Sequence, residues 1–262
     1  MRFGYLPDPF DARDRLLRRD LLGVPAEMPP PEASLNSFLP PILDQQNEDC
    51  TAHATWYALH IAASKAGIEL EQVSRLFLYW NARNYHNGTN FDGGTYIRAV
   101  FKALGKLGFC DEDWWPYGGE ELVNERPEMV AYEMAIDQVI GLEYYRIDST
   151  GAQRVLDVMN AIHHGHAVVF GILVDKGFVH AEHDLEEPVS EANATGGHAL
   201  TITAYDENGF YGPNSWGPAW NGNGFYRMSK HFLASEAPTD LWVVVAAPQF
   251  SDDRQTTPRG DQ

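Results

Sequence analysis

The sequence predicts an α+β protein of two lobes, and three observations lead there. Helical patterning fills the first half of the 262 residues, strand-like apolar runs fill the second, and 44% hydrophobic content suffices for a substantial core. A cleft between two such lobes is a common place for a binding site.

Taken in order, residues 11 to 22 alternate Arg13, Arg15, Arg18 and Arg19 with Leu16, Leu17, Leu21 and Leu22, which predicts a short amphipathic helix. Pro25 and the Met28-Pro29-Pro30-Pro31 run cannot lie inside a helix, so residues 1–34 read as an N-terminal extension ending in a proline-rich connector. Thr51 to Lys65 is alanine-rich with Trp56, Leu59 and Ile61, and Gly67 is a natural stop, predicting a buried helix that starts at Cys50. Further helices are predicted at Arg75 to Ala82 and at Tyr96 to Leu107, with Asp92-Gly93-Gly94 marking a close backbone approach. These give a helical lobe over 35–126. A last helix over Gln153 to His163 precedes strands at Ala167–Val174, His198–Tyr205, Gly209–Tyr211, Gly224–Met228 and Leu241–Ala247, giving a β-rich lobe over 127–247. Residues 248–262 lack an apolar period and read as a flexible tail.

The charge narrows the function classes. With 19 Lys plus Arg against 37 Asp plus Glu, the formal charge of −18 repels phosphate backbones and anionic membranes, so neither nucleic acid nor membrane is an expected partner. The acidic runs read as solvated surface, or as a preference for basic peptides. Two cysteines, Cys50 and Cys110, are too few for a disulfide scaffold and fit a reducing compartment. The N-terminus has no apolar signal region, so the expected location is cytoplasmic, or exported without a cleavable signal peptide.

Cys50 follows a polar stretch at the start of a helix, where unpaired N–H groups and the dipole favour a thiolate and an oxyanion. Gly196-Gly197-His198-Ala199 places a histidine at the entry of an apolar strand. Asn214-Ser215-Trp216-Gly217 supplies an amide that orients an imidazole and a ring that shields the bond. His163, His164 and His166 lack cysteine partners and read as solvated groups at a helix end, and Cys110 reads as a structural thiol, so no metal is expected. No cofactor is expected either.

The order Cys50, His198, Asn214, with spacings of 148 and 164 residues from the cysteine, resembles the papain-like cysteine peptidases of the C1 type. Asp92-Gly93-Gly94, Trp114-Trp115-Pro116-Tyr117 and Asn223 to Tyr226 match as well, so the resemblance spans roughly residues 35 to 247. It implies a papain-like fold with a helical lobe, an antiparallel β-barrel-like lobe and an active-site cleft between them. It further implies that Cys50 attacks a peptide carbonyl, His198 is its base, and Asn214 holds that base. Gly93, Gly94, Gly197 and Trp216 would contact substrate. The family's oxyanion glutamine stands six residues before its cysteine; Asp44 has that position here, and a one-residue deletion assigns Gln45, with Gln46 as the alternative.

Glu48-Asp49 replaces the family's small pair and should raise the thiol pKa, with Asp49 capping the helix in compensation. Thr51 stands where plant and animal members carry tryptophan, an arrangement associated with bacterial relatives. The expected activity is hydrolysis of peptides or proteins. The alternatives are a silent peptide-binding module and an amide or isopeptide acyl transferase on the same triad. A separate inhibitor or regulatory protein is a further expected partner, since only about 34 residues precede the domain.

Overall fold

The computed structural model describes residues 1–18, 28–70, 72–118, 121–136, 138 and 143–246, of which 245 and 246 are described in backbone only. The 248–262 tail lies outside the described residues. Helices α1 (Cys50–Lys65), α2 (Arg75–Asn84) and α3 (Ile97–Leu107) build one side of the molecule. Ser74 caps α2 by accepting the Phe77 N–H, and Gly108, at φ 70°, ends α3. Helix α1 is buried nearly all round because it is shared. Ala52, Trp56 and Leu59 pack with α2 and α3, while Cys50, Ala54, Ala58 and Ile61 pack into the core of the sheets.

That second core lies between two four-stranded sheets. The first runs β4 (Glu143–Ile147), β10 (Thr239–Ala246), β5 (Val168–Val174), β6 (Gly196–Ile202). The second runs β2 (Ala33–Ser34), β7 (Ala204–Asp206), β8 (Gly209–Pro213), β9 (Phe225–Met228). All pairings within both sheets are antiparallel. The expected papain-like α+β fold is present, and its barrel-like lobe is made of two sheets that stay open among the described residues. The chain changes sheets at Thr203, between β6 and β7, where the Thr203 N–H donates to Tyr211 at 3.1 Å, and no ladder closes the outer edges.

Helix α4 (Met129–Ile136) and strand β4 are among the elements that escape the sequence pattern. Helices α5 (Gly151–His163), α6 (Lys176–Val179) and α7 (Lys230–Ala234) complete the set. The predicted N-terminal helix is also corrected. Residues 11–18 are turn and extended chain, and positions 19–22 lie outside the described residues. Tertiary pairing outweighs helix propensity here. Arg15 O accepts the Arg146 N–H and the Leu17 N–H donates to Arg146 O, both at 2.8 Å, so the segment lies along β4. The proline run leads into β2 instead of ending as a free connector.

Candidate active site

Cys50 opens α1 with its side chain fully buried against the sheets, and Sγ accepts the Ala199 N–H at 3.4 Å. Strand β6 therefore brings the thiol against the residue next to His198. The His198 Nε2 lies 2.8 Å from Asn214 Oδ1, an oxygen that also accepts the Ser215 N–H at 2.7 Å. Because that oxygen can only accept, Nε2 carries the proton and Nδ1 is the basic nitrogen. Nδ1 is buried and has no hydrogen-bond partner among the described residues. Trp216 stacks on the imidazole, centroids 4.3 Å apart at 23°, and covers the His198–Asn214 bond.

Gln45 and Gln46 are separated by geometry. Gln45 is buried, and its Oε1 is fixed by the Ser215 hydroxyl at 2.6 Å. Its Nε2 donates to Asn47 O at 2.9 Å and to Arg2 O at 3.2 Å, with Phe3 O at 3.5 Å. Gln46 is exposed and donates its amide back to Asp44 O at 3.3 Å.

Those carbonyls belong to a segment the sequence did not connect with the site. Residues Arg2 to Leu6 form a strap along the cleft. Strand β1 (Tyr5–Leu6) runs parallel to β3 (Thr95–Tyr96), the Gly4 N–H donates to Gly197 O at 3.1 Å, and Gly4 O accepts the Thr95 N–H at 2.8 Å. The Trp216 Nε1 donates to Arg2 O at 3.1 Å, and the Phe3 ring stands edge-on to His198 and Trp216. Thus Gln45, Gly94, Gly197 and Trp216, four of the residues assigned to oxyanion or substrate contact, touch the strap. A methyl group on Gly94 would stand 2.2 Å from Gly4 O, and one on Gly197 would stand 2.3 Å from Tyr5 O. Gly93 instead packs against the Phe91 ring.

Burial sets the charge state of the site. It pushes the Cys50 thiol far up, with the nearby Glu48 carboxylate adding to it, and it lowers His198 to about 4. The closed site is a neutral thiol beside a neutral imidazole. Asp49 occupies the cap position of α1 without making a side-chain capping bond, which corrects the expected cap. Its Oδ2 accepts the Tyr117 hydroxyl at 2.9 Å and its Oδ1 lies 3.4 Å from His53 Nδ1. Burial raises this carboxyl to about 8, so it stands beside Cys50 in the chain as a neutral acid at pH 7.

Sequence reasoning also missed the supports of the loop. Asp92 accepts the Tyr79 hydroxyl at 2.7 Å and the Glu48 N–H at 2.9 Å, while Tyr79 accepts the Gly94 N–H at 2.9 Å. One aspartate thereby ties the loop before Cys50 to the glycine edge. Both cysteines are free, and no group of histidine, cysteine and acidic residues suited to a metal occurs among the described residues. No described helix is long and apolar enough to cross a membrane.

A helical layer and paired sheets with Cys50, His198 and Asn214 brought to one place define a papain-like fold. No family model matches the chain. A peptidase C1-like protein of Acanthamoeba polyphaga mimivirus is 32% identical over 207 residues, covering 74% of this chain and 66% of that protein. The chain thus spans about two thirds of that relative's length. The crystal structure of xylellain, a cysteine protease from Xylella fastidiosa, superposes with a TM-score of 0.79 at 28% identity, over 93% of this chain and 96% of that one. The proCathepsin B S9 of Trypanosoma congolense reaches 0.69 at 12% identity, over 95% of this chain and 87% of its own, a likeness of fold alone. The chain belongs to the papain-like, peptidase C1 family.

Proposed function

We propose that the chain is a cysteine peptidase that hydrolyses peptide bonds through Cys50, His198 and Asn214. The observation that carries this reading is the His198–Asn214 bond of 2.8 Å, which leaves the buried Nδ1 unpartnered while Cys50 is held against the next residue of β6. Once the strap leaves and water enters, desolvation eases and the proton passes from Sγ to Nδ1, giving a thiolate–imidazolium pair. The thiolate attacks the carbonyl carbon, and the carbonyl electrons move to oxygen, held by the Cys50 N–H and Gln45 Nε2. Imidazolium protonates the departing amine. Water, deprotonated by His198, then attacks the thioester and the thiolate leaves. Gln45 is preferred to Gln46 because its amide already serves carbonyls lying in the cleft.

The nucleophile side (35–126) and the histidine and asparagine side (127–247) are the two lobes of this proposal, with peptides or proteins as substrates. Gly94, Gly197 and Trp216 act as substrate contacts, since they already receive the backbone of a chain segment. Thr51 and the likeness to xylellain support a bacterial-like branch of the family. The likeness to cysteine proteases favours hydrolysis over a silent binding module or an acyl transferase. In the test, Cys50→Ala is expected to abolish both peptide hydrolysis and labelling by a thiol-directed epoxide. Turnover unchanged in that variant refutes the reading.

A further inference from the structure

Between Gln45 and Cys50 a short loop must hold two groups in register, an amide from one side of the site and a thiol from the other. Gln45 is fixed to the chain just beyond β8: its N–H donates to Ser215 O at 2.7 Å and its Oε1 accepts the Ser215 hydroxyl at 2.6 Å. Cys50 is fixed by α1. The link between them is a hydroxyl. The Tyr117 oxygen accepts the Gln46 N–H at 2.9 Å, and its proton goes to Asp49 Oδ2, also at 2.9 Å. One phenol thus spans the loop, from the peptide bond that follows Gln45 to the residue that precedes Cys50.

The acceptor end of this bridge is built into the interior. Asp49 is fully buried, and its Oδ1 lies 3.4 Å from His53 Nδ1, one turn further along α1. The His53 ring stands edge-on to Tyr117, centroids 5.4 Å apart at 82°, and the Arg75 guanidinium lies over the Tyr117 ring at 4.3 Å. Arg75 is itself paired with Glu112 at 2.7 Å. The neighbouring residue adds a tie to the same segment, because Asn47 Nδ2 donates to Gly118 O at 3.1 Å. A buried carboxyl is costly unless its oxygens find partners, and the partner Asp49 takes is the phenol that holds the loop, not an N–H of its own helix.

We infer that Tyr117 and Asp49 are positioning residues for the oxyanion side of the site, the Gln46–Tyr117–Asp49 bridge setting where the Gln45 amide stands relative to the Cys50 sulfur and N–H. The inference rests on the peptidase reading, and the test separates the two. Both residues act through Gln45 and Cys50. A donor moved out of line no longer meets the oxygen on which charge develops, whereas attack of the thiolate on a saturated carbon needs no such donor.

The test therefore compares two reagents on the same full-length protein. A peptide aldehyde takes the Cys50 sulfur at its carbonyl carbon and leaves an oxygen where the oxyanion forms; iodoacetamide takes the sulfur at its methylene carbon, loses iodide and leaves none. Both need an open cleft, so the ratio of aldehyde affinity to alkylation rate does not depend on how often the strap is seated. Tyr117→Phe keeps the ring against Arg75 and His53 and removes the hydroxyl. In it the ratio is expected to fall about tenfold, and kcat for a peptide by a similar factor with KM little changed. Asp49→Ala should give the same fall. Asp49→Asn, which keeps an oxygen for the Tyr117 hydroxyl, should return the ratio to near the wild-type value. Should Asp49→Ala not fold, the other two variants carry the comparison. A ratio unchanged in Tyr117→Phe while the protein still hydrolyses peptides, whether both reactions hold or both fall together, overturns the bridge and leaves the peptidase standing. An Asp49→Asn protein no better than Tyr117→Phe overturns Asp49 as the anchor. A wild-type protein that is alkylated at Cys50 but neither binds the aldehyde nor hydrolyses any peptide overturns the peptidase reading and the inference with it.

Discussion

Replacing Gly4 by alanine should activate the protein, a sign opposite to that expected of most substitutions beside an active site. Gly4 has φ +124°, a region strongly disfavoured for L side chains, and a methyl there would stand 1.8 Å from Glu48 O. The strain costs about 1–3 kcal/mol. The clash is with main chain, so the strap must shift. That shift breaks the Gly4–Gly197 and Thr95–Gly4 bonds, each contributing about 1 kcal/mol. A total of about 3 kcal/mol or more moves the open–closed equilibrium by on the order of a hundredfold, up to the ceiling of a fully open cleft. The assay is the rate of Cys50 labelling by a thiol-directed epoxide, followed with peptide turnover. Gly94→Ala also meets Gly4 O, at 2.2 Å, but its methyl remains in the cleft, so labelling should not rise in the same way. A Gly4→Ala protein that folds and labels no faster than wild type refutes the strap as the block.

Two further outcomes concern the groups around the nucleophile. Asn214→Ala removes the acceptor of a fully buried imidazole N–H; at about 1–3 kcal/mol, kcat/KM should fall roughly tenfold to a hundredfold, and an unchanged value refutes the orienting role. Asp49 has its folded pKa raised to about 8 by burial, so its contribution to stability is fully present below about 3.9 and is lost as pH rises towards 8. The loss is on the order of 4 kcal/mol by pH 7. Asp49→Asn keeps an acceptor for Tyr117 and has no proton to lose, so its melting temperature should gain on wild type from pH 4 to pH 8. A gap constant across that range refutes the neutral acid.

The legible part of this protein was local or carried by motif. Alanine spacing and Gly67 marked α1 to within a residue, and the apolar runs marked β5 and β10, because periodicity of 3.6 or 2 is written in neighbouring residues. Helix α4 carried no such signal: only Ala131 and Ala135 are buried in it, and four-residue spacing of two alanines in an apolar run is a weak pattern. Arg13, Arg15 and Leu17 suggested a helix because pattern reading weighs only neighbours, whereas Arg146 offered the chain its backbone.

By itself the sequence determined the order of Cys50, His198 and Asn214, the helical and strand halves, and the family resemblance. Tertiary structure alone decided that the Gln45 amide meets the Arg2 carbonyl, that Asp49 turns to Tyr117 and His53 instead of capping α1, and that Arg2 to Leu6 run between Thr95 and Gly197. The reason is distance along the chain. Tyr5 and Asp240 are 235 residues apart in sequence, and no local period encodes such a pairing, which exists only once folding has brought both ends to the same cleft.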